Sequence, residues 1–133
     1  MDALHARLAT IGLRATHPYG FALAGGYAVQ AHGFLRRRSD DVDLFTNDPD
    51  PDAFSAALDA TVVAYQDSGL KVSVQRSGDL FARLSVLDED GNAAKVELGC
   101  DWRSKAPQIL EIGPVLHPDD AVANKVTALF GLS

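Results

Sequence analysis

Residues 23–45, Leu-Ala-Gly-Gly-Tyr-Ala-Val-Gln-Ala-His-Gly-Phe-Leu-Arg-Arg-Arg-Ser-Asp-Asp-Val-Asp-Leu-Phe, read as a strand end, a double-glycine turn, a short helix, a basic loop and a second strand. On a strand successive side chains alternate between faces, so Asp41 and Asp43 share one face about 6.5–7 Å apart at Cα. Val42 and Leu44 point the other way, into a core. Two carboxylates so placed suit one or two divalent cations, while Gly25 and Gly26 let backbone approach a phosphate closely. That is the equipment of metal-dependent phosphoryl or nucleotidyl transfer.

Working outward, charge is unevenly spread around this stretch. Between Ser39 and Gln66 there are seven aspartates and no lysine or arginine, and Arg36, Arg37 and Arg38 stand just before them. Guanidiniums for phosphate beside carboxylates for a metal fit a metal–nucleotide site; a solvated loop is the plain alternative. The net charge of −6 argues against a protein that coats nucleic acid broadly. At 133 residues with 47% hydrophobic content, the chain suits one folded domain spanning residues 1–133. Its weakly polar run, Phe21 to Leu35, is too short to cross a bilayer, and no signal-like segment opens the sequence. The single cysteine, Cys100, excludes an internal disulfide and fits a reducing cytoplasm.

Patterning extends the fold in both directions. Leu4, Leu8 and Ile11 predict a helix over residues 2–14 that stops near Gly12. Phe21–Ala24 reads as a buried strand, and the helix after Gly26 runs to about Gly33. Asp50 or Asp52 caps a helix whose apolar face is Phe54, Leu58, Val62 and Tyr65. From Leu70 the period becomes two. Leu70, Val72 and Val74 alternate with Lys71, Ser73 and Gln75 in a half-buried strand, and Ala82, Leu84 and Val86 follow in the next. Asp88-Glu89-Asp90-Gly91-Asn92 is a hairpin turn. In the strand after it Val96, Leu98, Cys100 and Trp102 share one face; Lys95, Glu97, Gly99 and Asp101 share the other. A loop with Pro107, Gly113 and Pro114 leads to a last helix near Pro118, where Val122, Val126, Leu129 and Phe130 form the stripe and Lys125 reaches a cleft. The order α-β-α-β-α-β-β-β-α predicts an α+β fold, a mixed sheet with helices packed against it.

Glu97 is the third candidate acid, with Asp101 a weaker fourth. His32 and His117 read as packed or helix-start residues. Cys100 reads as a buried structural thiol. An EF-hand is excluded because Leu44 and Phe45 occupy ligand positions, and no Gly-Lys-Ser/Thr follows the glycines as a Walker loop requires.

Leu23-Ala-Gly-Gly26 followed by Arg37-Arg38-Ser39-Asp40-Asp41-Val42-Asp43-Leu44-Phe45 resembles the nucleotidyltransferase (polymerase-beta-like) superfamily. It is most similar to the AbiEii/AbiGii toxin branch, which includes the mycobacterial MenT toxins. Lys95-Val96-Glu97-Leu98 matches the branch's later acid, and Asp120-Ala-Val-Ala-Asn-Lys125 its Asp-x-x-x-x-Lys helix start. The resemblance implies a nucleotidyltransferase-like core in which Asp41, Asp43 and Glu97 hold Mg²⁺ or Mn²⁺. Gly25, Gly26, Arg37, Ser39 and Lys125 would hold the phosphates of a nucleoside triphosphate, and Lys125 would join the three acids as catalytic. It further implies type IV toxin–antitoxin biology: transfer of a nucleotide to a tRNA end in the cytoplasm, countered by a separate antitoxin protein. Small-molecule (antibiotic) modification on the same core, or a non-catalytic nucleotide-binding module, are the alternatives. Two departures stand out. Tyr27 replaces the branch's Ser or Thr after the glycines, and the sequence stops at Ser133 where relatives continue into a helical C-terminal region, which this form is expected to lack.

Overall fold

The computed structural model describes residues 2–32 and 41–121. Helix α1 (Ala3–Thr16) starts where the Asp2 carboxylate accepts from the amides of Leu4 at 2.9 Å and His5 at 3.3 Å, a cap worth about 1 kcal/mol. It buries Leu8, Ala9, Gly12 and Leu13. The predicted stop at Gly12 is overturned. A Cβ on Gly12 would stand 2.6 Å from Leu44 Cδ1 and 2.8 Å from the Tyr65 hydroxyl, so this glycine is a point of close packing inside the helix. A short 3₁₀ turn (His17–Tyr19) leads to β1 (Ala22–Ala24), α2 (Gly25–Ala31) and β2 (Asp41–Thr46).

Helix α3 (Pro51–Asp67) begins at Asp50, whose carboxylate accepts from the Asp52 amide at 3.0 Å. Its buried stripe is Phe54, Ala57, Thr61 and Tyr65; the expected Leu58 and Val62 lie only partly buried at its edge. The remaining strands are β3 (Lys71–Ser77), β4 (Phe81–Leu87), β5 (Ala93–Cys100), β6 (Gln108–Leu110) and β7 (Gly113–Val115), after which Pro118 opens a helical turn. The predicted stripe of Val122, Val126, Leu129 and Phe130 lies outside the described residues.

The seven strands among the described residues form one mixed sheet, ordered β3-β4-β5-β2-β1-β7-β6. β2 runs parallel to β5 and β1 parallel to β7, and the other pairings are antiparallel. The fold is α+β, as expected. One face carries Val42, Leu44, Ala82, Leu84, Val86, Val96 and Leu98, all fully buried, beneath α1 and α3. The Tyr65 hydroxyl donates to the Leu8 carbonyl at 2.8 Å and ties the two helices together.

Three expectations need correction. β3 is not half-buried: it is an edge strand whose residues are exposed apart from the partly covered Val72. β5 ends at Cys100, and Trp102 beyond it is 79% exposed rather than in the core. β6 and β7 occupy the stretch expected to be loop.

Candidate functional site

The face opposite the core carries the acids. The β2–β5 register sets Asp41 beside Lys95 and Asp43 beside Glu97, on strands about 4.8 Å apart. The β1–β2 register sets Ala24 on the other side of Asp43, so the chain enters α2 directly against that carboxylate. Gly25 makes this approach possible. Its φ is +62°, and a Cβ there would stand 2.0 Å from Asp43 Oδ2. Gly26 follows, half-buried. Phe45 and Gly99 close the row toward the strands' C-terminal ends, where a Cβ on Gly99 would be 2.9 Å from the Phe45 ring.

Sequence reasoning missed Arg83. The β4–β5 register sets it opposite Glu97, and its Nη1 lies 2.6 Å from Glu97 Oε1, with the side chains 34% and 21% exposed. The row across the sheet is therefore Arg83, Glu97, Asp43, then the glycine turn. The signal was present: a five-residue hairpin loop at 88–92 pairs Leu87 with Ala93, and counting back puts Arg83 opposite Glu97. Asp101 leaves the row. It lies exposed past the end of β5, its carboxylate accepting from the Trp102 amide at 2.8 Å.

Other candidates have different places. Asp120, from the helix signature, is buried; its carboxylate accepts from Ser104 N at 2.9 Å, Ser104 Oγ at 2.6 Å and Lys105 N at 3.0 Å. Burial alone would raise its pKa, but these hydrogen bonds outweigh burial and hold it below the ordinary carboxylate range. Asp120 thus fastens the loop after β5 to the helical turn that Pro118 opens. His32 Nε2 donates to the Leu116 carbonyl at 2.7 Å, and His117 Nδ1 accepts from the Asp119 amide at 3.2 Å; both are half-buried. Cys100 is half-buried rather than buried, with Sγ 3.4 Å from the Asp48 carbonyl. Burial, then the charges of Asp101 and Asp48, push its thiol up, which keeps it protonated and unsuited to nucleophilic work. Arg37, Ser39 and Lys125 lie outside the described residues, as do Arg36 and Arg38. No helix among the described residues is long and apolar enough to cross a membrane.

The family described as nucleotidyl transferase AbiEii toxin, type IV TA system, matches residues 8–132. This chain belongs to the AbiEii family. Several solved structures are similar to it, at identities that show the fold alone; three of them follow. JHP933 from Helicobacter pylori has 17% identity and a TM-score of 0.68, over 97% of this chain and 57% of that one. MenT4, a nucleotidyltransferase toxin of Mycobacterium tuberculosis H37Rv, has 19% identity and a TM-score of 0.65, over 95% and 52%. The antibiotic-resistance factor ANT(2'')-Ia has 21% identity and a TM-score of 0.54, over 87% and 65%. This AbiEii chain therefore spans between half and two thirds of the length of each. A search of curated proteins by sequence finds no match.

Proposed function

We propose that this AbiEii chain carries the catalytic face of a metal-dependent nucleotidyltransferase that joins a nucleoside monophosphate to an RNA end, with tRNA as the acceptor. The observation that carries this reading is the row Glu97–Asp43–Gly25: two carboxylates in register on parallel strands, the second pressed against a glycine turn.

The donor set fits Mg²⁺ or Mn²⁺. Among the described residues no three His, Cys, Asp or Glu side chains are gathered around one point, and Glu97 is turned to Arg83. Mg²⁺ does not require such a cage, because it is held by one or two carboxylates and completes its shell with water and substrate phosphates. Asp41 and Asp43 would hold the ion, with Glu97 as a further oxygen donor. Bound there, it would supply neutralisation of the triphosphate and acidification of the acceptor hydroxyl.

The chain's own residues supply position. Gly25 and Gly26 present backbone without side chains, so phosphate oxygens can come close to the Asp43 carboxylate. The pair with Arg83 fixes the orientation of Glu97 on a rigid strand. The acceptor hydroxyl oxygen attacks the α-phosphorus, the α–β anhydride bond breaks, pyrophosphate leaves and the hydroxyl proton passes to water. Arg37, Ser39 and Lys125 are proposed for the phosphates on the family resemblance. A cytoplasmic setting and a cognate antitoxin belong to the same proposal.

The test is transfer of label from each α-labelled nucleoside triphosphate to total tRNA, with aminoglycosides as a parallel acceptor set. Label on RNA with Mg²⁺ or Mn²⁺, abolished in Asp43→Ala while the circular dichroism is retained, is the expected result. Full transfer by Asp43→Ala overturns the site; label on the aminoglycoside alone replaces the acceptor.

A further inference from the structure

Outward from the acids, the same open face changes sign. Lys95 stands beside Asp41 with Ser85 beyond it, and Arg83 stands beyond Glu97. On the edge strand, Ser73 pairs Ser85 and Lys71 pairs Leu87, so both belong to this face. Plain alternation from Lys71 and Ser73 would continue to Gln75 and turn Arg76 toward the core side with Val72 and Val74. A bulge between Val74 and Arg76 prevents this: Val74 pairs Leu84, Arg76 pairs Arg83, and Gln75 is the extra residue. The bulge re-aims Arg76 onto the open face, directly opposite a second arginine.

Like charges set opposite one another destabilise a strand pair; Glu97 answers the charge of Arg83, and Arg76 across from it is placed to take an anion from outside. Arg76 also lies over the Phe81 ring, 5.8 Å from its centroid, and Phe81 is 36% exposed. The edge of the face thus combines cations with an accessible aromatic ring. That pairing suits a phosphate backbone bearing bases that stack. Its reach along β3, roughly 20 Å for seven residues, is longer than a triphosphate needs.

We propose that the open face of β3, β4 and β5 is the platform for a single-stranded RNA acceptor, with Lys71, Arg76 and Lys95 on its phosphates and Phe81 under a base. The proposal rests on the transferase reading and adds to it the path of the acceptor: from the edge strand, across the sheet, to Asp43.

The experiment measures binding of a short fluorescein-labelled single-stranded RNA by anisotropy across a salt series, with calorimetry of each nucleoside triphosphate plus Mn²⁺ alongside. Lys71→Ala combined with Arg76→Ala is expected to weaken RNA binding at least tenfold at low salt. It should also reduce the slope of log K against log salt by about 1.4, near 0.7 per lost contact. Phe81→Ala is expected to weaken binding about fivefold or more with the slope unchanged, since stacking releases no counterions. Nucleotide binding should be unaffected in both variants, whose substitutions are exposed and whose folding is checked by circular dichroism. RNA affinity unchanged in both variants overturns the platform. So does wild-type protein that binds nucleotide but no RNA, and the transferase reading then survives without it. If RNA and nucleotide binding fall together in the variants, the face serves the triphosphate and the RNA assignment is wrong. If the wild type binds neither, the transferase reading falls first and takes the platform with it.

Discussion

Gly25 and Asp43 lie so close that any side chain at position 25 would take the space of the carboxylate. An alanine at 25 meets two separate penalties: a left-handed φ of +62°, costing about 1–2 kcal/mol, and a collision with the Asp43 carboxylate. Gly91 isolates the first of these. Its φ is +84°, yet nothing lies within 4 Å of where its Cβ would be. Gly91→Ala is therefore expected to cost only about 1–2 kcal/mol in urea denaturation, and to leave nucleotide binding intact. Gly25→Ala should cost more than Gly91→Ala and abolish nucleotide binding by calorimetry, because the carboxylate must move away from the proposed phosphate site. Equal losses in the two variants, with binding kept, would show that the close approach at 25 has no functional part. This juxtaposition was half-legible in sequence. The double glycine announced a close approach, but only the β1–β2 register reveals that the neighbour is Asp43.

Among the elements, β2 was readable to the residue because its alternation is unbroken: Asp41 and Asp43 half-buried, Val42 and Leu44 fully buried. β6 and β7 were not readable. Each is three residues long, they are separated by a tight turn, and Gly113 and Pro114 belong by chemistry to loops. β7 exists because Val115 pairs with Leu23 across the length of the chain, a tertiary cause that local pattern cannot show. β3 failed differently. Its alternation is correct as far as Val74, and then a single extra residue reverses every side chain after it. This gives the edge strand its own test. Deleting Gln75 restores a regular ladder and brings the arginine after it to the same place opposite Arg83, still on the open face. Because the pairings on either side of Gln75 keep their partners, the deletion is expected to leave one cooperative urea transition and RNA affinity within twofold by anisotropy. A deletion that unfolds the strand or loses RNA would mean that Gln75 itself, and not only the facing of Arg76, is required.

At the scale of the whole molecule, the site face depends on the two helices behind it, and Tyr65 is where they are joined. The phenol is buried in α3, packs against Gly12 of α1 and donates to the Leu8 carbonyl. Burial pushes its pKa well above the ordinary tyrosine value of about 10. In the folded protein the phenol therefore keeps its proton after an unfolded tyrosine has lost it. Above that point the unfolded chain binds fewer protons than the native one, so stability falls as pH rises. The contribution is intact below pH ~10 and declines by about 1.4 kcal/mol for each further unit until the native phenol ionises. Tyr65→Phe removes this decline and, at neutral pH, removes one hydrogen bond worth about 1 kcal/mol. The two stability curves, taken from urea unfolding between neutral pH and pH ~11, are expected to start about 1 kcal/mol apart in favour of wild type. They should cross between pH ~10.5 and ~11, where the cost of holding the buried proton equals the worth of the hydrogen bond. Other titrating groups are common to both proteins and cancel in the difference. Parallel curves through this window would mean that the phenol ionises as easily in the native protein as in the unfolded chain, and that the α1–α3 seam behind the acid-bearing face is open to water.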